Sequence, residues 1–303
     1  MKLILPSFAK INWTLEILGK RPDGYHELRT LLQAISVADE LVFEPLEQGI
    51  EIVCDHPDVP CDETNLVHQA AMLFSEFTGI AKGVRVTIHK RIPIAAGLGG
   101  GSGNAAVTFL ALQTLWQQEL ASRDLFSLGA KLGADVPFFF VGGTCLGVGR
   151  GDEIYPLADI VADNLLLVNV GILVSTREVY GALPPELTNP RPVSKMPTSF
   201  EAAYAAVTTQ NEQIRLQNDL EIPVLACHGL LAEIKRKLGQ AGASGVLMSG
   251  SGSTIFAVFD SSEARNDAQR ELGQNGWWCA AARTLSRDEY QQIYRQALMN
   301  AQA

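Results

Sequence analysis

Within the stretch Pro93-Ile-Ala-Ala-Gly-Leu-Gly-Gly-Gly-Ser-Gly-Asn-Ala-Ala-Val107, four of the five residues from Gly97 to Gly101 are glycine, and an apolar, helix-like segment follows at once. Glycines let backbone N–H groups turn inward onto an anion with no Cβ in the way, and a helix beginning near Ser102 adds its own unpaired N–H groups and positive dipole end. The pattern is that of a phosphate cradle. Val107, Leu110, Ala111, Thr114 and Leu115 fall on one helical face, while Phe109, Leu112 and Trp116 cover much of the rest, which predicts a helix buried on most sides. Such a helix points its N-terminus from a fixed place, and the rest of the chain has to be arranged around it.

Other uses of a glycine run compete with this one. A P-loop needs a lysine just after the glycines, and there is none between Ala95 and Gln118, so that option is excluded. A dinucleotide fingerprint could be drawn from Gly101-x-Gly103-x-x-Ala106 after a strand at Val84–Ile92, but Glu119, the acid at the distance expected of a ribose ligand, sits at a helix end instead of a strand tip. A plain connection that binds nothing is a third option, although long glycine runs cost backbone entropy and need a reason.

A chain of 303 residues suggests two domains and ample length for buried cores. Hydrophobic content of 47% against 19% charged residues excludes a disordered chain. The net charge of −9 argues against a nucleic-acid partner, which calls for clustered Lys and Arg, so an anionic nucleotide must be met by local groups. The five cysteines are scattered and show no Cys-x-x-Cys spacing, which indicates free thiols in a reducing cytosol instead of zinc or a disulfide framework. The opening Met-Lys-Leu-Ile-Leu-Pro-Ser ends its apolar run too early for a signal peptide, and Val107–Trp116 is far short of the ~20 apolar residues of a spanning helix. A cytoplasmic protein without a membrane partner is expected.

From Phe8 to Ile17 the residues alternate strictly, with Ala9, Ile11, Trp13, Leu15 and Ile17 on one side, which predicts a half-buried strand placing Lys10 and Asn12 on a solvated face. Pro22-Asp-Gly24 then makes a hairpin turn, with Tyr25 and His26 beyond it as strand residues on local evidence. Strands are expected at Asp39–Pro45 and Ile50–Asp55, a capped amphipathic helix over Thr64–Phe74, and another over Ser122–Leu132 with Ser122 as N-cap and Gly133 as its stop. Asp135, at the edge of the apolar run ending in Phe140, is either a carboxylate held ionised by a cation or donors, or a turn aspartate exposed before Pro137.

A glycine-spaced strand over Gly142–Gly151 closes the first half. Leu165–Val170 reads as a central strand, followed by a short helix capped by Ser175 or Thr176 and a proline-rich, mobile surface loop over Pro184–Pro197. Helical patterns follow at Phe200–Val207 and Pro223–Leu238. Gly245–Phe259 reads as two strands joined by a Gly-Ser loop, which is either a hairpin turn or a second anion-contacting lip; helices over Ser262–Leu272 and Arg287–Ala301 flank a strand at Trp277–Thr284. Two α+β domains dividing near Pro156, residues 1–156 and 157–303, account for this order.

Taken together, Pro6-Ser-Phe-Ala-Lys-Ile-Asn12, Arg21-Pro-Asp-Gly-Tyr-His26, Ala96-Gly-Leu-Gly-Gly-Gly-Ser102, Leu132-Gly-Ala-Asp-Val-Pro-Phe138, Asn218-Asp-Leu220 and Met248-Ser-Gly-Ser-Gly-Ser253 resemble, in order and spacing, the motifs of the GHMP kinases, the superfamily of galactokinase, homoserine kinase, mevalonate kinase and phosphomevalonate kinase. The match spans nearly the whole chain. Arg21–His26 together with Leu132–Phe138 narrow the resemblance to the branch that phosphorylates a hydroxyl of a cytidyl diphosphate polyol. The resemblance implies an α+β, two-domain GHMP kinase fold, with an N-terminal domain like domain 2 of ribosomal protein S5, a ferredoxin-like C-terminal domain, and the active site in the cleft between them. It implies ATP binding through Asn65, Pro93, Ala96, Gly97, Leu98, Gly99, Gly100, Gly101, Ser102 and Gly103. Asp135 corresponds to the catalytic base and Lys10 to its partner; Tyr25, His26 and Tyr180 would frame the cytosine, and Asn12 and Thr176 would be polar contacts to the same substrate. The implied partners are small molecules, ATP and the polyol. Since no His, Cys or carboxylate cluster supplies a metal cage, Mg²⁺ is expected to arrive on ATP. Gly103 departs from the family, which has a second serine there; Ser102 remains as the hydroxyl for phosphate or Mg²⁺.

Overall fold

The computed structural model describes residues 2–188 and 216–302. Two long strands, β1 (Leu3–Lys20) and β2 (His26–Leu46), pair antiparallel and set up the first sheet. The turn between them is the expected one: Gly24 has φ +86°, its N–H donates to the Arg21 carbonyl at 3.1 Å, and the Arg21 N–H donates to Tyr25 at 2.8 Å. Being long, β2 takes two further partners, β4 (Gly83–His89) along its second half and β5 (Thr144–Gly149) along its first. β3 (Ile50–Cys54) adds to β4 and β6 (Glu153–Pro156) to β5.

Four helices cover this sheet, α1 (Leu66–Thr78), α2 (Gly100–Leu115) and α4 (Val136–Phe139) against the strands and α3 (Ser122–Leu132) against the other three. Their apolar side chains, among them Phe74, Phe109, Leu112 and Phe138, close one core with Leu5, Phe8 and Phe43 of the sheet. α2 is buried nearly all round, as its sequence predicts, but it begins at Gly100, two residues before Ser102. The helix over Ser122–Leu132 is also as expected and stops at Gly133, yet Ser122 is not its cap: Ala121 holds that position in an extended conformation and supplies no side-chain bond.

A second sheet, in the order β11 (Trp278–Ala282), β7 (Leu165–Asn169), β10 (Ile255–Val258), β9 (Gly245–Met248), is antiparallel throughout. Alternation divides its side chains. Leu166, Val168, Ile255 and Ala257 pack with α8 (Gly229–Gln240) and α9 (Ser262–Gly273), through Leu231, Ile234, Leu238, Ala268 and Leu272. Leu165, Leu167, Phe256 and Val258 face the other way, onto Ala9, Ile11 and Trp13 of β1. That contact corrects the half-buried strand expected at Phe8–Ile17. One face of β1 is covered by the second sheet and the other by α2, so Lys10 and Asn12 are only 3% and 2% exposed. Alternation reports two faces; it does not say how many of them are covered.

The second half also reaches back. β8 (Gln217–Asn218) runs parallel to β1 at Thr14–Leu15, and α10 (Arg287–Gln302) packs Tyr290 and Tyr294 onto Phe8, with ring centroids 5.5 and 6.0 Å apart. The Tyr290 hydroxyl donates to the Phe139 carbonyl at 2.8 Å. Among the remaining elements, α5 (Thr176–Gly181) is capped by Ser175 as expected. The single helix expected over Pro223–Leu238 is two, α7 (Glu221–Cys227) and α8, broken at His228. Pro185–Thr188 forms a short helix, α6, where a loop is expected; the rest of that loop and the helix expected at Phe200–Val207 lie outside the described residues. Among the described residues no helix is long and apolar enough to cross a membrane, and the five cysteines are free thiols.

Candidate active site

The glycine loop is wedged between β1 and the Met248–Ser253 turn. Gly97 and Gly99 sit at φ +73° and +69°, and there is no room at either for a side chain: a Cβ on Gly97 would lie 2.0 Å from the Ser249 carbonyl, and one on Gly99 would lie 2.8 Å from the Phe139 ring and 3.0 Å from Lys10 Cγ. The loop's carbonyls are taken from behind. Thr254 N–H donates to Ala96 at 3.2 Å, Ser249 Oγ to Gly97 at 2.9 Å and Lys10 N–H to Leu98 at 2.9 Å. What remains free is the set of N–H groups opening α2, whose N-cap Gly99 offers no side-chain acceptor. They face a cavity of about 510 Å³ lined by Pro93 to Ser102, Asn65, Lys90, Asp135, Thr176 and Ser251. The Gly-Ser loop is therefore more than a hairpin turn: it forms the second lip of this cavity.

Lys10 lies beneath the loop, at the floor. Its Nζ donates to Asn12 Oδ1 at 2.7 Å and lies 3.5 Å from Asp135 Oδ2. Asn12 is fixed in turn, donating through Nδ2 to Thr30 Oγ1 at 2.7 Å, and that hydroxyl donates to the Thr14 carbonyl. Held this way, the ammonium cannot swing away from the carboxylate. Asp135 opens α4 without making a capping bond, and its side chain is 37% exposed, so it combines both options left by the sequence: a turn residue that is accessible from the cavity and paired with a buried cation.

Not every expected site residue lines the cavity. Gly103 lies behind it, where a Cβ would meet Ser7 Oγ at 2.9 Å and the Phe8 carbonyl at 3.0 Å, so glycine suits the close packing of α2 on β1. Asn65 does line it, but its side chain is committed to the fold: Oδ1 accepts from Val67 N–H at 2.9 Å as the N-cap of α1, and Nδ2 donates to the Pro60 carbonyl. Thr176 bonds Ser251 across the second lip at 2.9 Å. His26 and Tyr180 come together, ring centroids 5.1 Å apart at 31°. Burial, more than the charge of Lys20, holds the His26 pKa below its ordinary value, and its buried Nε2 has no protein partner. Burial raises the Tyr180 pKa, with the Asp135 carboxylate as a smaller cause. Tyr25 is 57% exposed, with the Arg150 guanidinium 5.1 Å over its ring.

Two groups in the cavity wall escape the sequence patterns. Lys90, at the end of the strand feeding the loop, is paired with the buried Asp39, which also accepts from Arg91 and Ile92 N–H at 2.8 Å. Its Nζ stands 2.9 Å from where a Cβ on Gly100 would be. A search for lysine after the glycines passes over one that precedes them. Asn104, in the first turn of α2, is 4% exposed, and its Oδ1 has no partner; its place directly after Ser102-Gly103 was the available signal.

A glycine loop at a buried helix start, packed directly beside a lysine–aspartate pair in a fold of two such sheets, defines a small-molecule kinase of the GHMP class. The GHMP kinases N terminal domain model matches residues 65–143 and the GHMP kinases C terminal model residues 202–276. The 4-diphosphocytidyl-2-C-methyl-D-erythritol kinase of Syntrophus aciditrophicus is 41% identical over 278 residues, 92% of this chain and 96% of that protein. The enzyme of the same name from Thermodesulfovibrio yellowstonii is 41% identical over 285 residues, 93% of this chain and 98% of that protein. A crystal structure of 4-(cytidine 5'-diphospho)-2C-methyl-D-erythritol kinase superposes with TM-score 0.79 at 36% identity, covering 93% of this chain and 99% of that one. Homoserine kinase from Cytophaga hutchinsonii shares the fold, with TM-score 0.70 at 19% identity over 94% and 95% of the two chains. The chain belongs to the 4-diphosphocytidyl-2-C-methyl-D-erythritol kinase family of the GHMP kinases.

Proposed function

We propose that the protein transfers the γ-phosphoryl group of ATP to the 2-hydroxyl of 4-diphosphocytidyl-2-C-methyl-D-erythritol, a step of the non-mevalonate route to isoprenoid precursors. The observation that carries this is that Asp135, with Lys10 Nζ buried 3.5 Å behind it, lines the same cavity as the residues that open α2. In this reading the triphosphate lies on the start of α2 and the glycine loop, and the adenine lies toward Asn65. Asp135 accepts the proton of the substrate hydroxyl as its oxygen bonds to the γ-phosphorus, and the bond from that phosphorus to the bridging oxygen breaks to release ADP. Lys10, pinned by Asn12, fixes the direction of the Asp135 carboxylate. Asn12 then acts behind the lysine more than on the substrate itself.

Mg²⁺, when bound with ATP, would neutralise phosphate charge. Ser102 Oγ and the unpartnered Oδ1 of Asn104 are among the oxygens lining the cavity, a donor set that fits an ion carried in by the nucleotide. The cleft would lie where a domain of residues 1–156 meets one of 157–303, and the cytosine would lie against Tyr180 and Tyr25, with the free Nε2 of His26 as its hydrogen-bond partner.

The test is ADP release on mixing the protein with ATP, Mg²⁺ and the cytidyl substrate, set against mevalonate, homoserine and galactose. Turnover of one of those three alcohols without turnover of the cytidyl compound overturns the assignment. Stacking on one aromatic face is worth roughly 1–3 kcal/mol, about one to two decades of affinity. Tyr180→Ala should therefore raise KM for the cytidyl substrate by that factor and leave KM for ATP nearly unchanged, while Tyr180→Phe is mild. A loss confined to ATP would mean that the two nucleotide ends are reversed.

A further inference from the structure

The Asn218-Asp219-Leu220 segment has no part in the chemistry above, yet it is tied to the cavity's second lip. Asn218 is 4% exposed. Its Nδ2 donates to two carbonyls of that lip, Met248 at 2.8 Å and Gly250 at 2.7 Å, while its Oδ1 accepts from Leu220 N–H at 3.0 Å. The residue is itself anchored to the floor, because β8 pairs with β1 at Thr14–Leu15 and Asp219 N–H donates to the Leu15 carbonyl at 2.9 Å. The lip so held lies close to the lysine. A Cβ on Gly250 would stand 3.1 Å from Lys10 Nζ, 3.2 Å from the Gly97 carbonyl and 3.4 Å from Asn12 Oδ1.

We propose that Asn218 is a positioning residue for phosphoryl transfer: by gripping the Met248 and Gly250 carbonyls it sets the wall that keeps Lys10 Nζ between Asn12 and Asp135. The geometry is suited to this task, since one side-chain amide reads two carbonyls of a glycine-rich turn that has little stiffness of its own. Hydroxyl or carboxylate replacements cannot do the same, lacking two N–H donors on one atom. The proposal rests on the role of Lys10 and Asp135 given above. Failure of that role would appear in the unmodified protein as absent turnover, whereas failure of this proposal appears only in the variants.

The experiment compares Asn218→Ala and Asn218→Asp with the unmodified protein, after thermal melts establish that the variants are folded at the assay temperature. Misplacing a reacting group by about 1 Å costs on the order of 10²-fold in rate, so kcat should fall by about 10- to 100-fold. KM for ATP should move less than kcat, because the Ser249 hydroxyl still holds the Gly97 carbonyl of the loop. In a Lys10→Met background, adding Asn218→Ala should cost little more, as expected of two residues that act through one another. Gly250→Ala, with its Cβ directed at Lys10 Nζ, should reproduce the kcat loss. Folded Asn218 variants with kcat near that of the unmodified protein would overturn the proposal. So would a full additional loss in the Lys10→Met background. Failure of both Asn218 variants to fold would make the residue structural and overturn it equally.

Discussion

Asp135→Asn is expected to lower turnover by about 10²- to 10⁴-fold, the range typical of a lost general base, with ATP affinity little changed. The amide keeps the size of the side chain and can still face Lys10, but it cannot take a proton from the substrate hydroxyl. Since Asp135 makes no capping bond to α4 and is partly exposed, the change should leave the melting temperature close to that of the native protein. Single-turnover measurement with saturating ATP checks this. Turnover within a few-fold of native would reduce Asp135 to a turn residue, and the hydroxyl would then need no base from this chain.

A second large effect is expected at Gly97. Valine there would have to adopt φ near +73°, which for a β-branched residue costs about 1–3 kcal/mol in strain, and its Cβ would fall 2.0 Å from the Ser249 carbonyl. The loop can relieve that clash only by leaving the second lip, which breaks the Ser249 bond to the Gly97 carbonyl and swings the start of α2 out of register with the cavity. ATP affinity should drop by more than about 10²-fold. Isothermal titration with ATP measures the loss, and a melt shows whether the protein remains folded. Unimpaired ATP binding in a folded Gly97→Val protein would return the glycine run to the status of a plain connection.

The parts of the molecule legible in the sequence are those fixed by local chemistry. Pro-Asp-Gly wrote its turn, Gly133 its helix stop, and the dense apolar run after Gly103 a helix with no solvent face. The strands of the second sheet were equally clear, because each is short and bounded by glycine or a polar turn. What could not be read locally was set by distant contacts. Lys10 and Asn12 look solvated in an alternating strand, and only the meeting of two sheets and a helix on β1 buries them. Ser122 looks like a cap, but Ala121 already has the extended backbone that ends the helix, and the hydroxyl falls one residue too late. In the cavity, Lys90 was invisible because its role depends on Asp39, 51 residues earlier, drawing it to the mouth of the glycine loop. Motif resemblance brought Asp135 and Lys10 together; geometry adds how each is held.

The way α10 lies on the first sheet has a consequence for how the protein comes to be made. Leu285, Tyr290 and Tyr294 belong to the same core as Phe8, Phe138 and Phe139. Until Gln217–Asn218 have been synthesised the floor strand lacks its parallel neighbour, and until residues 285–294 have followed the sheet built by the first half lacks part of its cover. The glycine loop, though written in the first third of the chain, is therefore backed by a core that closes only when the C-terminal helix has been made.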